Sequence, residues 1–176
     1  MLRLIAASLL FATPALADMT LEMPGVRDGT LPDDQVLNAF GCEGLNLSPE
    51  LVWSGAPAET QSYIITAYDP DAPTGSGLWH WSAFNIPASV NRLGEAAASP
   101  GGALPEGMIQ ARNDFSQNQY DGACPPPGST HHYIFTVYAM PMATLPLDAT
   151  ASAAMVGFFA HTGALASASV TVTYGH

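Results

Sequence analysis

The sequence predicts a mainly β fold, a sandwich of sheets with one late helix and long loops. Three runs rich in β-branched and aromatic residues have the length and composition of strands: Ser62–Asp69, Trp79–Ile86 and His132–Met140. Apolar residues recur at helical spacing only after Pro146. Several strands followed by a single late helix favour a sandwich. With 176 residues, the chain is long enough for one domain and too short for two.

The first 17 residues predict a cleavable signal peptide. Arg3 supplies a short positive region, residues 4–13 are apolar, and Ala15-Leu16-Ala17 is a small-x-small cleavage signal. The apolar run is too short to span a membrane, and Asp18 follows the predicted cut where a lipid anchor would need Cys. A buried N-terminal strand is the alternative. We expect a single domain over residues 18–176, periplasmic or secreted, without stable membrane insertion.

The remaining elements are short. Residues 18–31 predict a strand and a turn, a short strand leads to Phe40, and Leu51–Trp53 is a brief strand. The composition of residues 41–50, 89–107 and 116–128 predicts loops. The strand Ser62–Asp69 has apolar residues on both faces, which indicates burial on both sides.

The C-terminal part predicts a helix and a last strand. Asp148 or Thr150 would cap a helix that runs to about Ala166. Its predicted core face consists of the apolar positions and one threonine that recur at helical spacing: Met155, Phe158, Phe159, Thr162 and Leu165. The alternation over Ser169–Tyr174 predicts the last strand.

The predicted mature chain is strongly acidic, which excludes some classes of partner. The chain has 15 Asp and Glu against 4 Arg, and no lysine. Removal of Arg3 with residues 1–17 leaves a formal charge of about −12. Such a surface repels nucleic acid and anionic membranes over a Debye length, so nucleic-acid binding is not expected.

The two cysteines, Cys42 and Cys124, predict one disulfide. In an exported chain a lone pair more often forms a bridge than two free thiols. This bridge closes a loop of about 80 residues and adds on the order of 4 kcal/mol in the loop-entropy model. It would tie the loop at Gly41 to the proline-rich loop. A Cys124–His131 nucleophilic pair is the alternative.

Two polar segments predict one binding pocket. Residues 68–81 run from the end of one predicted strand to the start of the next and carry Asp69, Asp71 and His80. Residues 124–133 carry His131 and Tyr133. His131 and His132 point to opposite faces of a strand, and Tyr133 shares the face of His131, so we expect His131 to face the pocket. Imidazole N–H groups, the tyrosine hydroxyl and loop N–H groups are donors suited to a small anion.

The charge of such a pocket would come from histidine. The chain has no lysine, and Arg112 is the one cationic candidate nearby. A carboxylate that accepts one imidazole N–H fixes the ring and favours its charged form, with the other N–H directed at the ligand. We therefore expect anion binding to strengthen as the pH falls through a histidine pKa of about 6.5.

The two segments resemble the signature segments of the phosphatidylethanolamine-binding protein family, in its bacterial Raf-kinase-inhibitor-like branch. The matching stretches are Asp69–Gly77, Trp79–Trp81, Gly122–Gly128 and His131–Tyr133, with further likeness at Asn46–Pro49 and Arg112–Phe115. The resemblance covers roughly residues 19–174. It implies an antiparallel β-sandwich with a small pocket at one end for phosphate-like or carboxylate-like groups, including the phosphatidylethanolamine head group.

The resemblance also implies the pocket residues. Carried over by matching position, they are Asp69, Pro73, His80, Pro126, His131 and Tyr133, with Asp71 and Trp79 beside them. Two positions depart from the family pattern. Leu78 stands where bacterial relatives often have a second Trp, and His132 stands where many members have Arg.

We expect binding without chemistry, and no cofactor. Two histidines and a carboxylate suit a metal with open positions, but no His-x-His or His-Glu-x-x-His pattern is present. Hydrolysis would need an activated nucleophile, and Gly-x-Ser-x-Gly is absent. The competing function is an interaction or inhibitor module with a vestigial pocket, acting through a protein partner or as a homodimer.

Overall fold

The computed structural model describes residues 18–176, which form eight strands, one α-helix and one 3-10 turn. The predicted signal peptide lies outside the described residues. The three-stranded sheet has the order β1-β2-β5, with β1 Thr20–Glu22, β2 Leu51–Ser54 and β5 Arg92–Leu93. The five-stranded sheet has the order β6-β4-β3-β7-β8, with β3 Ser62–Asp69, β4 Leu78–Pro87, β6 Ile109–Gln110, β7 Thr130–Met140 and β8 Ala166–Gly175. All pairings between these strands are antiparallel, which confirms the predicted mainly β fold.

Strand β3 is central and is buried on both faces, as its apolar pattern predicts. Its inner face, with Tyr63 and Ile65, packs against the three-stranded sheet, where the Trp53 and Tyr63 rings lie 5.4 Å apart. Its outer face packs Ile64 against helix α1, Ala153–Gly163. The predicted strand and the observed strand have the same bounds.

Helix α1 is present, but the predicted core face is mostly wrong: of its five residues, Phe159 packs against the core and the other four are exposed. Its buried residues are small: Ala153, Val156, Gly157 and Ala160. Met155 and Phe158 are 48% and 60% exposed. The small residues face the sheet because the helix approaches it closely, so that a Cβ added at Gly157 would lie 3.3 Å from the Trp79 ring. Ser152 caps the helix N-terminus with its hydroxyl, in place of the predicted Asp148 or Thr150.

Other short elements differ from the prediction. No strand forms over residues 35–40, where the chain instead makes a 3-10 turn at Asp33–Gln35. The two-residue strands β5 and β6 follow no alternating pattern of their own. Each is held by pairing with a longer neighbour, β2 or β4, so local sequence carries no signal for it. Within residues 18–176, no helix has the length and apolarity needed to cross a membrane.

The predicted disulfide between Cys42 and Cys124 is present, with Cα atoms 5.9 Å apart. It joins the loop after Gly41 to the proline-rich loop before β7. His176 also lies against this loop, since its amide donates to Ser129 and its Nδ1 lies 3.0 Å from the Pro125 carbonyl oxygen. The segment that opens β7 is therefore held from two sides.

Candidate ligand-binding site

A small cavity opens where β3 ends and where β4 and β7 begin. Its volume is about 190 Å³, below the range of pockets that hold drug-sized ligands. Three buried polar residues, Asp69, His80 and His131, line its inner part, here called the cavity floor; they are 2%, 3% and 7% exposed. The rim is mainly apolar and includes both predicted prolines: Leu37, Phe40, Pro73, Leu78, Phe115 and Pro126.

Asp69 ends β3 and holds the floor together. Its Oδ1 accepts hydrogen bonds from the amides of Asp71 at 2.8 Å and Ala72 at 3.1 Å, which fixes the turn after the strand. Its Oδ2 lies 2.7 Å from Nδ1 of His131 on β7. This carboxylate therefore orients the His131 ring, as the sequence predicts for an aspartate beside a histidine.

His80 reaches the floor because of an irregularity in β4. Trp81 pairs with Ala67 and Trp79 pairs with Tyr68, so His80 is the extra residue of a β-bulge. Its Nδ1 lies 2.9 and 3.1 Å from the backbone carbonyl oxygens of Asp121 and Gly122. The backbone, and not a carboxylate, fixes this ring, contrary to the sequence prediction. Its Nε2 is buried, 4.0 Å from Asp69 Oδ2, and has no hydrogen-bond partner within residues 18–176.

Burial lowers the pKa of His80 because the charged imidazole loses its hydration. The carbonyl of Asp121, the charge of Asp69 and the carbonyl of Gly122 act in the opposite direction and only partly offset this loss. The His80 ring also packs against two aromatic rings. Its centroid lies 5.2 Å from the Tyr133 centroid and 5.5 Å from the Phe115 centroid. The lowered pKa favours the neutral ring.

A buried polar network holds the backbone that fixes His80. The Asp121 carboxylate accepts from the Asn113 amide at 2.7 Å and the Gln119 amide at 2.8 Å. Asn46 accepts from the Gly122 amide at 2.7 Å. Asn46 and Asn113 lie in two of the segments that carry the family resemblance, but sequence reasoning assigned them no role, and Asp121 was missed altogether.

Tyr133 lies beside the floor and is 2% exposed. Its hydroxyl is buried and has no hydrogen-bond partner among the described residues. Burial and then the charge of Asp69 raise the pKa of this phenol, so that it stays protonated and able to donate. Its ring edge meets His80, which places β7 and the β4 bulge in contact.

Asp71 and His132 form a second pair outside the floor. The Asp71 carboxylate accepts the His132 amide at 2.8 Å and lies 2.7 Å from its Nδ1. These hydrogen bonds lower the pKa of Asp71. Both side chains are exposed, so the structure places His132 and Asp71 on the outer side of the strand that carries His131.

Two expected neighbours of the cavity lie elsewhere. Trp79 faces the outer side of the sheet, where its ring packs on Tyr68 with centroids 4.6 Å apart. Because of the bulge at His80, the residues before and after it lie on opposite faces of the sheet, whereas simple alternation would place them on the same face. Arg112 lines a separate hollow with Leu147 and Asp148 beside helix α1. Among the described residues, neither arginine nor lysine lines the cavity.

Sequence reasoning also missed the apolar rim. Phe40 is 78% exposed and lies 6.2 Å from the Phe115 ring across the cavity mouth. Leu78, noted in the sequence as a departure from the family pattern, lines the cavity with them. The sequence carried little signal for this rim, because single apolar side chains are common on protein surfaces.

The geometry suits binding of a small polar group. Buried donors and acceptors with free valences converge on a narrow space, and an apolar rim strengthens each hydrogen bond made there. Metal binding fits less well, because among the described residues the ligand atoms of Asp69, His80 and His131 do not form a cluster tight enough to hold a metal ion. Among the described residues, Cys42, Cys124 and His176 cluster at metal-ligand distances, but the two sulfurs are joined to each other.

Fold and site together define a two-sheet antiparallel protein with a histidine–aspartate cavity at one end. The family profile described as phosphatidylethanolamine-binding protein matches residues 27–175. The Escherichia coli UPF0098 protein YbhB is 48% identical over 89% of this chain and 99% of its own length. The E. coli UPF0098 protein YbcL is 47% identical over 82% of this chain and 80% of its own.

Solved structures agree with this assignment. The crystal structure of E. coli YbcL, described as a new member of the mammalian PEBP family, has a TM-score of 0.87 and 43% identity. The alignment covers 91% of this chain and 99% of that one. This chain therefore belongs to the phosphatidylethanolamine-binding protein family, as the signature segments predict.

Proposed function

We propose that this protein is an exported, non-catalytic binding protein for a small anionic group, such as a phosphate ester or a lipid head group of that kind. One observation carries the proposal. His80 lines the cavity, and its Nε2 is buried without a hydrogen-bond partner in the part of the chain that the structure describes. A buried polar atom left unpaired costs about 1–3 kcal/mol, and a ligand that pairs with it recovers that cost.

The surroundings of this atom support a small ligand. The cavity holds about 190 Å³, and the floor offers groups from three chain segments in fixed geometry. The apolar rim of Phe40, Leu78 and Phe115 suits the carbon attached to a polar head. The family name describes phosphatidylethanolamine binding, which agrees with this ligand class.

Export is supported by the N-terminal pattern and by the disulfide, since such bridges persist in oxidising compartments. A non-catalytic role is supported by the state of the candidate nucleophiles. Both cysteines are in the disulfide, and the Ser129 hydroxyl donates to the Pro126 carbonyl at 2.6 Å. A screen with p-nitrophenyl phosphate and p-nitrophenyl acetate should give no turnover above buffer; a rate abolished by His80→Asn would contradict this part of the proposal.

Isothermal titration with methyl phosphate tests the binding function. We expect saturable binding to one site in the wild-type protein, weakened about tenfold to a hundredfold in His80→Asn. Asparagine keeps an N–H for the two carbonyls that hold the ring but removes Nε2. His161→Asn is the matched control, since His161 lies on helix α1 and is exposed. Absence of saturable binding to the wild type would overturn the proposal.

One observation favours the alternative of a protein-interaction module. Met155, Phe158 and Leu165 are exposed together at and after helix α1, and such apolar groups mark interaction surfaces. Sedimentation of the wild type and of Phe158→Ser distinguishes the two functions. A homodimer lost in Phe158→Ser, combined with no binding of methyl phosphate, would favour the interaction module.

A further inference from the structure

Given the proposed anion-binding function, on which this inference rests, we propose that the cavity selects an oxyanion that still carries a proton, whose O–H donates to Nε2 of His80. The ligand class is then a phosphate monoester in its monoanionic form. A fully ionised phosphate lacks this donor, and so does a diester such as the phosphate of a phospholipid.

The hydrogen bonds of His80 fix which ring nitrogen carries the proton. Nδ1 lies 2.9 Å from the Asp121 carbonyl oxygen and 3.1 Å from that of Gly122. A carbonyl oxygen can only accept a hydrogen bond, so Nδ1 must be the protonated nitrogen. In the neutral ring Nε2 then has a lone pair and acts as an acceptor. A ligand that pairs with it has to bring a hydrogen.

The surroundings of His80 keep the ring neutral. The residue is 3% exposed and packs between Tyr133 of β7 and Phe115. Two carboxylates face it, and both are already satisfied: Asp121 by amide groups of its own network, and Asp69 by two backbone amides and His131. Asp69 Oδ2 is 4.0 Å from Nε2, too far for a hydrogen bond. Burial dominates, and it lowers the pKa of His80.

The floor therefore disfavours a fully ionised group. Such a ligand would meet the Nε2 lone pair and the Asp69 charge, and no arginine or lysine of residues 18–176 lines the cavity to offset a second negative charge. A monoanion with one O–H donates to Nε2 of His80. Its other oxygens can accept from the remaining donor beside the floor, which is the Tyr133 hydroxyl.

A matched pair of ligands tests this inference at pH 5.0. Methyl phosphate is then mostly the monoanion, because the second pKa of a phosphate monoester is about 6. Methyl sulfate has the same charge and tetrahedral shape but no proton. We expect methyl phosphate to bind about tenfold tighter or more. Dimethyl phosphate, a monoanionic diester without O–H, should bind as weakly as methyl sulfate and represents the phospholipid source.

Two further measurements complete the design. At pH 8.0 methyl phosphate is the dianion, and its binding should weaken about tenfold or more relative to pH 5.0. In His80→Asn the preference for methyl phosphate over methyl sulfate should disappear, whereas His161→Asn should retain it. Near-ultraviolet circular dichroism establishes that both variants are folded; if His80→Asn is not, the ligand pair in the wild-type protein decides.

The possible outcomes distinguish a failure of this inference from a failure of the proposed anion-binding function. Equal affinity for methyl phosphate and methyl sulfate would mean that binding needs no O–H on the ligand, which overturns the inference and leaves the anion-binding function intact. A preference retained in His80→Asn would also overturn it. Binding of none of the three ligands would overturn both.

Discussion

At Asp69, a single carboxylate joins two strands and a loop. It ends β3, accepts two amides of the following turn and pairs with His131 of β7, while only 2% exposed. The position of the whole cavity floor therefore depends on a charge that is almost wholly removed from bulk water. The charge is tolerated because hydrogen bonds replace the lost hydration.

Substitution of Asp69 by Asn tests this role. Asn keeps the shape but removes the charge opposite His131, and we expect the free energy of unfolding to fall by about 3 kcal/mol. Urea denaturation at pH 7 measures the change. Asp71→Asn is the control, because its pair with His132 is exposed and should contribute much less. Equal losses in the two variants would contradict the assigned role of Asp69.

His80 makes stability depend on pH. Burial lowers its pKa in the folded protein below the ordinary histidine value of about 6.5, so the unfolded chain binds a proton more readily than the folded one. The contribution of neutral His80 is fully present above pH 6.5 and is lost as the pH falls from there through the folded pKa. Urea denaturation at pH 7.5 and 5.0 should show a larger loss in the wild type than in His80→Asn. If the loss of stability between pH 7.5 and pH 5.0 were the same in His80→Asn as in the wild type, burial of a neutral His80 ring would be contradicted.

The residues that could be predicted from the sequence are those whose roles follow from local pattern or from family motifs. Asp69, His80, His131, Pro73 and Pro126 come together at one cavity, and Tyr133 lies beside it. Trp79 was misplaced because the extra residue of the bulge at His80 depends on pairing with β3 and not on the sequence of β4. Asp121 was missed because it holds His80 through its backbone oxygen, which every residue type has.

At the scale of elements, helix α1 shows where periodicity fails. The large apolar residues at helical spacing predict one face, but the buried face is the small one. Close approach to the outer side of the sheet leaves no room for large side chains, as the Gly157–Trp79 contact indicates. Strands with long β-branched runs, in contrast, were predicted to within three residues at each end.

Two truncations distinguish the faces of helix α1. Val156 is fully buried, and Val156→Ala should lower the free energy of unfolding by about 2 kcal/mol through lost burial and a residual cavity. Phe158 is 60% exposed, and Phe158→Ala should change the free energy of unfolding by about 0.5 kcal/mol or less. Denaturant titrations of the two variants provide the comparison; a larger loss for Phe158→Ala would restore the face predicted from the sequence.

At the scale of the whole molecule, the disulfide links chain segments that are 82 residues apart. It connects the loop that presents Phe40 to the loop that presents Pro126, so both walls of the cavity depend on it. Such a link is consistent with a domain whose floor and rim come from five separate parts of the chain. The pairing could be predicted from composition alone, because only two cysteines exist.

Removal of this link should affect both stability and binding. In the Cys42→Ser, Cys124→Ser double variant, we expect the free energy of unfolding to fall by about 4 kcal/mol in the loop-entropy model. Affinity for methyl phosphate should fall as well, because the two cavity walls are no longer joined. Thermal unfolding and calorimetry measure the two effects. A double variant as stable as the wild type would contradict a structural role of the bridge.

The central claim, that a small anion binds at the His80–His131 floor, is tested most directly by nitrogen-15 NMR of the histidine rings during titration with methyl phosphate. We expect saturable shifts of the ring nitrogens of His80 and His131, with His161 unchanged. Saturable shifts confined to His161 or to other surface sites, or no saturable shift at all, would contradict it.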